Sequence, residues 1–125
     1  MSDRSPASWD PKRRLQRIAH IVEHAEAVRE ALKRTSHSAF LSDRLLEKAS
    51  CYDILCISEA VTRLVEMDPG IVARRPSIPW RQIADMGNIL RHEYGRFDVQ
   101  LVWDTVTGSD LEGLLDACLS ESTSQ

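Results

Sequence analysis

The stretch SAFLSDRLLEKASCYDILCISEAVTRLVE, from Ser38 to Glu66, decides the fold. Leu41, Leu45, Ala49, Tyr52, Leu55, Ile57, Val61, Leu64 and Val65 recur mostly at steps of three and four, which predicts one long helix. Between Tyr52 and Ala60 the run is apolar nearly all round. A helix without a polar side must touch several neighbours, so this one is read as the centre of a helical bundle. Glu59 stands inside the apolar run. A buried acid needs a partner, and an arginine from another helix is the expected one; the alternative is a partly exposed acid at a helix edge.

Upstream, Asp10-Pro11 reads as an N-cap followed by proline at the first helical position. Leu15, Ile18, Val22, Ala25, Val28 and Leu32 then form one stripe of an amphipathic helix of about 20 residues. His20 and His24 lie four apart on it, a spacing that can hold a metal, but no HExxH pattern accompanies them and no metal site is expected. Thr35 to Ser38 is a polar break with capping residues.

Downstream, Met67-Asp68-Pro69-Gly70 ends the central helix, and Arg75-Pro76 and Ile78-Pro79 keep the next segment extended. A third helix is predicted from Trp80 to Gly95, with Ile83, Met86 and Leu90 as its core stripe. Gly87 inside it costs about 1 kcal/mol relative to Ala, which suggests close packing or a functional approach. Asp98 caps a short helix through Val106, and Ser109 or Asp110 caps a last one through Leu119. The expectation is an all-α, up-and-down bundle of three long and two shorter helices. It forms one domain over residues 12–120, flanked by flexible segments 1–11 and 121–125.

A chain of 125 residues with 42% hydrophobic and 28% charged residues suits a single globular domain. No apolar run is long enough to span a bilayer, and Met1 to Pro11 holds no signal-type apolar segment, so a cytoplasmic location is expected. Cys51, Cys56 and Cys118 are an odd count without CxxC spacing and read as small buried hydrophobes. The net charge of −3 is unevenly placed. Residues 71–97 carry Arg74, Arg75, Arg81, Arg91 and Arg96 against Asp85 and Glu93, whereas residues 98–125 carry six acids and no Lys or Arg. A local basic surplus favours an anionic ligand such as a phosphate.

That basic segment contains Asn88-Ile89-Leu90-Arg91-His92-Glu93-Tyr94. On a helix Asn88 and His92 share a face, with Arg91 and Tyr94 beside His92. Imidazole can give and take a proton near neutral pH, guanidinium can neutralise a phosphate, and an amide can orient either. The set suits metal-free RNA cleavage, in which the ribose 2′-OH attacks the adjacent phosphate, and calls for no cofactor.

The order and spacing of several blocks resemble one family. They are Ile57-Ser58-Glu59-Ala60, Pro76-Ser77-Ile78-Pro79-Trp80, Ile83 through Tyr94, Val102-Trp103 and Leu111. From Arg13 to Leu119 the chain is similar to the HepT-like family of the HEPN superfamily of helical ribonucleases. The resemblance implies an endoribonuclease toxin of a toxin–antitoxin system. It further implies a homodimer whose motif helices face each other across a cleft, and a minimal nucleotidyltransferase antitoxin that adds AMP to the motif tyrosine. Asn88, His92 and Tyr94 match the motif's polar residue, histidine and tyrosine. The motif arginine position is Gly87, a departure. Arg91 stands one turn on and about 40° round, and is the substitute expected to clamp phosphate. With no substitute, the chain would be a weak or inactive module binding a nucleotide, RNA or the partner protein through the same cleft.

Overall fold

Each long helix begins where a side-chain oxygen can satisfy amide groups that the helix leaves unpaired. In the computed structural model, which describes residues 10–93 and 99–123, α1 spans Pro11–Leu32 and starts with Asp10 accepting from the Lys12 amide at 2.9 Å. The short α2 (His37–Leu41) is capped by Ser36, and α3 (Arg44–Met67) by Asp43, whose carboxylate accepts from the Leu46 amide. There follow α4 (Gly70–Arg74), α5 (Trp80–Glu93), α6 (Val99–Thr107) and α7 (Ser109–Thr123).

The chain is all-α, as a HEPN-like bundle requires, but its segmentation is finer than the five helices expected. The run read as one helix from Ser38 is split by Ser42-Asp43. Asp43 caps α3 more effectively than it could continue α2, because a short acidic side chain competes for backbone amides. The segment read as extended up to Pro79 contains one further turn, α4. The last helix runs to Thr123, beyond the polar break expected near Ser120. Asp98, the expected cap of α6, and Gly95, the expected stop of α5, lie outside the described residues.

The central helix is central in fact. α3 runs antiparallel to α1 on one side, as the pairs Arg14–Asp68 and His24–Asp53 show, and to α5 on the other, where Ser58 meets Ala84 and Ile54 lies with Leu90. α7 returns along α1. Ile18, Ile21, Ile57, Val61, Ile83 and Leu114 fill the main core. Phe40, Ile54, Leu90 and Val102 form a second cluster under α2 and α6. Each such side chain contributes about 1.5–3 kcal/mol through burial.

One end of the bundle is closed by charge. Asp68, at the end of α3, and Glu121, in the last turns of α7, are buried, with side chains only 5% and 6% exposed. Arg14 from α1 donates to both; Arg74 reaches Asp68 at 2.7 Å and Glu121 at 3.1 Å; Arg75 reaches Glu121 at 2.9 Å. The acids hold α7 in helical form past Ser120. Arg74 and Arg75 are therefore structural. Their charge is matched by acids from outside residues 71–97, so the basic surplus read there does not all belong to a ligand site.

Burial pushes both carboxyls up, but hydrogen bonds from Arg74, Arg14 and Arg75 outweigh it and hold them below their ordinary values of 3.8 and 4.5. Groups with lowered folded values add stability above the ordinary values and lose it as pH falls through the lowered ones. Unfolding free energy from urea titrations should accordingly decline as pH drops below about 4.5, and decline less steeply in Glu121→Gln. At neutral pH Arg14→Ala should cost about 2–4 kcal/mol, because it leaves two buried carboxylates short of a partner.

Candidate functional site

α5 enters the bundle through Trp80, which is buried and donates from Nε1 to the Arg75 carbonyl at 3.0 Å. This fixes the rotation of the helix. Ile83 and Leu90 point into the core, and the opposite stripe is solvent-facing. Arg81, Asp85, Asn88 and His92 follow one another at steps of four, three and four, so they share an arc of about 60°. All four are exposed. The expected stacking of Asn88 and His92 on one face is present. Arg91 belongs to the α5 backbone, one turn beyond Gly87; its side chain and the whole of Tyr94 lie outside the described residues.

Gly87 is buried where α5 crosses α3. The Ser58 hydroxyl, 1% exposed, donates to the Ala84 carbonyl at 2.6 Å and accepts from the Gly87 amide at 3.0 Å. A hydroxyl on so short a side chain reaches the backbone of a neighbouring helix only where both surfaces are small. Ser58 provides this on α3, and Ala84 with Gly87 provides it on α5. Of the two readings of a glycine inside this helix, close packing is the one observed, and its partner is Ser58.

Sequence reasoning points instead to the neighbouring residue. Glu59 is half-exposed and pairs with Arg63 on its own helix at 2.9 Å, not with an arginine from elsewhere. α3 is not apolar on the Glu59 side, so the acid stays in water, and the polar residues that α3 buries are Ser50 and, in the apolar run itself, Ser58. The signal available was a serine inside the most apolar run, with a glycine in a later helix that packs on it.

The histidine pair on α1 is engaged otherwise. His24 Nδ1 lies 2.8 Å from Asp53 on α3, with the His20 and Tyr52 rings edge-on to it. Among the described residues no three metal-ligating side chains converge. Cys118 is buried, and burial pushes its thiol up to about 12; Cys51 and Cys56 are only half-buried, less than expected. Beside the motif stripe, Ile89 and Leu101 are about half exposed and border an apolar cavity of about 80 Å³ with Ile54, Met86, Leu90 and Thr105. No described helix is long and apolar enough to cross a membrane.

A family profile described as Ribonuclease HepT-like matches residues 21–119. The chain is 29% identical over 89 residues to a candidate RNase of Caldanaerobacter subterraneus subsp. tengcongensis, covering 71% of this chain and 77% of that protein. It is 32% identical over 90 residues to a Thermococcus cleftensis protein named probable ribonuclease HepT, covering 71% and 78%. A candidate RNase of Methanocaldococcus jannaschii is 27% identical over 86 residues, covering 69% of each chain. No solved structure gives a significant match.

The buried contact at Gly87 makes a direct prediction. Placing the motif arginine there, Gly87→Arg, puts a long charged side chain at a buried position and should lower stability by about 2 kcal/mol or more. A thermal melt equal to that of the unaltered protein would contradict the packing role.

Proposed function

We propose, from the premise that this chain belongs to the HepT-like ribonuclease family, that it is a metal-independent endoribonuclease acting through the exposed face of α5. The observation that carries this reading is the exposed Asn88–His92 pair, one turn apart on a helix whose opposite face is locked into the core. His92 takes the proton of a ribose 2′-OH as the 2′-oxygen bonds to the adjacent phosphorus. The bond from phosphorus to the 5′-oxygen then breaks, and that oxygen leaves with a proton from an imidazolium. Asn88 orients the imidazole or a phosphate oxygen. Arg91 neutralises the charge that builds on the phosphoryl oxygens.

Family resemblance extends the proposal. Two copies pair with their α5 faces across a shared cleft, and the apolar surface of Ile89 and Leu101 beside the motif supports such pairing. The chain acts as the toxin of a toxin–antitoxin system. Its antitoxin is a minimal nucleotidyltransferase that transfers AMP from ATP to the Tyr94 hydroxyl, with pyrophosphate leaving. The adduct adds bulk and negative charge where RNA phosphate must sit, which blocks binding. The site of action is cytoplasmic.

Gly87 favours a second reading, a catalytically weak module that binds RNA, a nucleotide or the antitoxin through the same cleft. The two differ in one assay. The ribonuclease reading expects cleavage of single-stranded RNA in EDTA, reduced by about 10²–10⁴ in His92→Ala and by about 10² in Arg91→Ala. RNA binding without cleavage by the unaltered protein would establish the second reading instead.

A further inference from the structure

A buried serine usually satisfies its hydroxyl within its own helix, by bonding the carbonyl one turn back. Ser58 does not. Its hydroxyl spans two helices and holds two backbone groups of α5 at once, the Ala84 carbonyl and the Gly87 amide. These groups are three residues apart on the side of α5 that faces α3. They precede Asn88 by four residues and by one. The contact is buried, so water does not compete for it, and one donor with one acceptor gives it a defined direction.

A helix packed only by apolar side chains can slide or rotate by fractions of an ångström as those side chains repack. A two-point hydrogen bond to the backbone removes that freedom. Asn88 and His92 project from the next turn and a half, on the exposed face of the same helix. Their position is inherited from the α5 backbone.

We infer that Ser58 is a positioning residue for the α5 site: its hydroxyl, seated against Ala84 and Gly87, sets the register and rotation from which Asn88 and His92 are presented. The inference rests on the ribonuclease reading for its catalytic consequence, but not for its structural one. Glycine at position 87 is part of the same device. Position 87 is buried, and its amide is one of the two groups that the Ser58 hydroxyl holds. With glycine at the motif arginine position, Arg91 is the next arginine along the helix. Ser58 touches no substrate and moves no proton in the reaction.

The test compares Ser58→Ala, which removes the hydroxyl, with Ser58→Cys, which keeps a small donor and acceptor at the same place. Two quantities are read in the full chain. The first is backbone amide hydrogen exchange, residue by residue. Ser58→Ala should speed exchange at Gly87 to Leu90 by about tenfold or more, leave Ile21 to Val28 of α1 unchanged, and Ser58→Cys should recover part of the loss. The second is RNA cleavage in EDTA. Ser58→Ala should lower kcat by about tenfold with KM within about twofold, because the reacting groups are misplaced while the RNA-binding surface persists.

Unchanged exchange at Gly87 to Leu90 overturns the inference, as does an equal rise throughout α1 and α7, which signals general loss of stability. Altered exchange with unaltered kcat overturns the positioning role. If the unaltered protein cuts no RNA, the ribonuclease reading fails on its own. The exchange arm then still decides whether Ser58 sets the register of α5.

Discussion

The crossing of α3 and α5 is the contact on which the site depends. There the Ser58 hydroxyl donates a hydrogen bond to the Ala84 carbonyl and accepts one from the Gly87 amide. The bundle could bury its apolar surface with α5 at any of several rotations, because leucine and isoleucine pack tolerantly. Directional hydrogen bonds discriminate among those rotations. Trp80 fixes the start of α5 by bonding the Arg75 carbonyl, and Ser58 fixes its middle. The exposed stripe from Arg81 to His92 is the consequence of these two points.

A second constraint holds the opposite end of the molecule. Arg14, Arg74 and Arg75 converge on Asp68 and Glu121, tying α1, α3, α4 and α7 together. Such a cluster adds less net stability than its short distances suggest, since each buried charge must first be stripped of water. Its larger effect is on specificity. It dictates which helix ends meet, and it converts two arginines that look like ligand-binding residues into parts of the frame. The cationic groups that remain for an anion along α5 are fewer than the local charge count suggests.

Much of the fold is legible in the sequence because it follows from periodicity and caps. The apolar stripe of α1, the Asp10-Pro11 start and the central place of α3 are all written in residue spacing. The break at Ser42-Asp43 is not legible, because a capping residue inside a helical pattern looks like an ordinary polar position until its carboxylate is seen on the Leu46 amide. Glu59 stands out in the sequence because it is charged. Ser58 does not, although α3 buries it, because a small hydroxyl leaves no mark on a hydrophobic pattern. Partner choice across distant segments, as in Arg14 with Glu121, has no local signature at all.

The candidate site is legible as a set of residue types. Asn88 and His92 share the exposed face that helical spacing implies, whereas Tyr94 lies beyond the described residues. What spacing cannot supply is the reason for glycine at the motif arginine position. The Ser58 contact makes position 87 a buried packing position, and under the ribonuclease reading the arginine's task is proposed for Arg91. The most direct measurement is the rate of RNA cleavage in EDTA by Arg91→Ala and by Arg91→Ala carrying Gly87→Arg as well. If position 87 serves packing and Arg91 serves phosphate, Arg91→Ala loses most of the activity and arginine at position 87 does not restore it. Restoration to near the unaltered rate would contradict that division of roles.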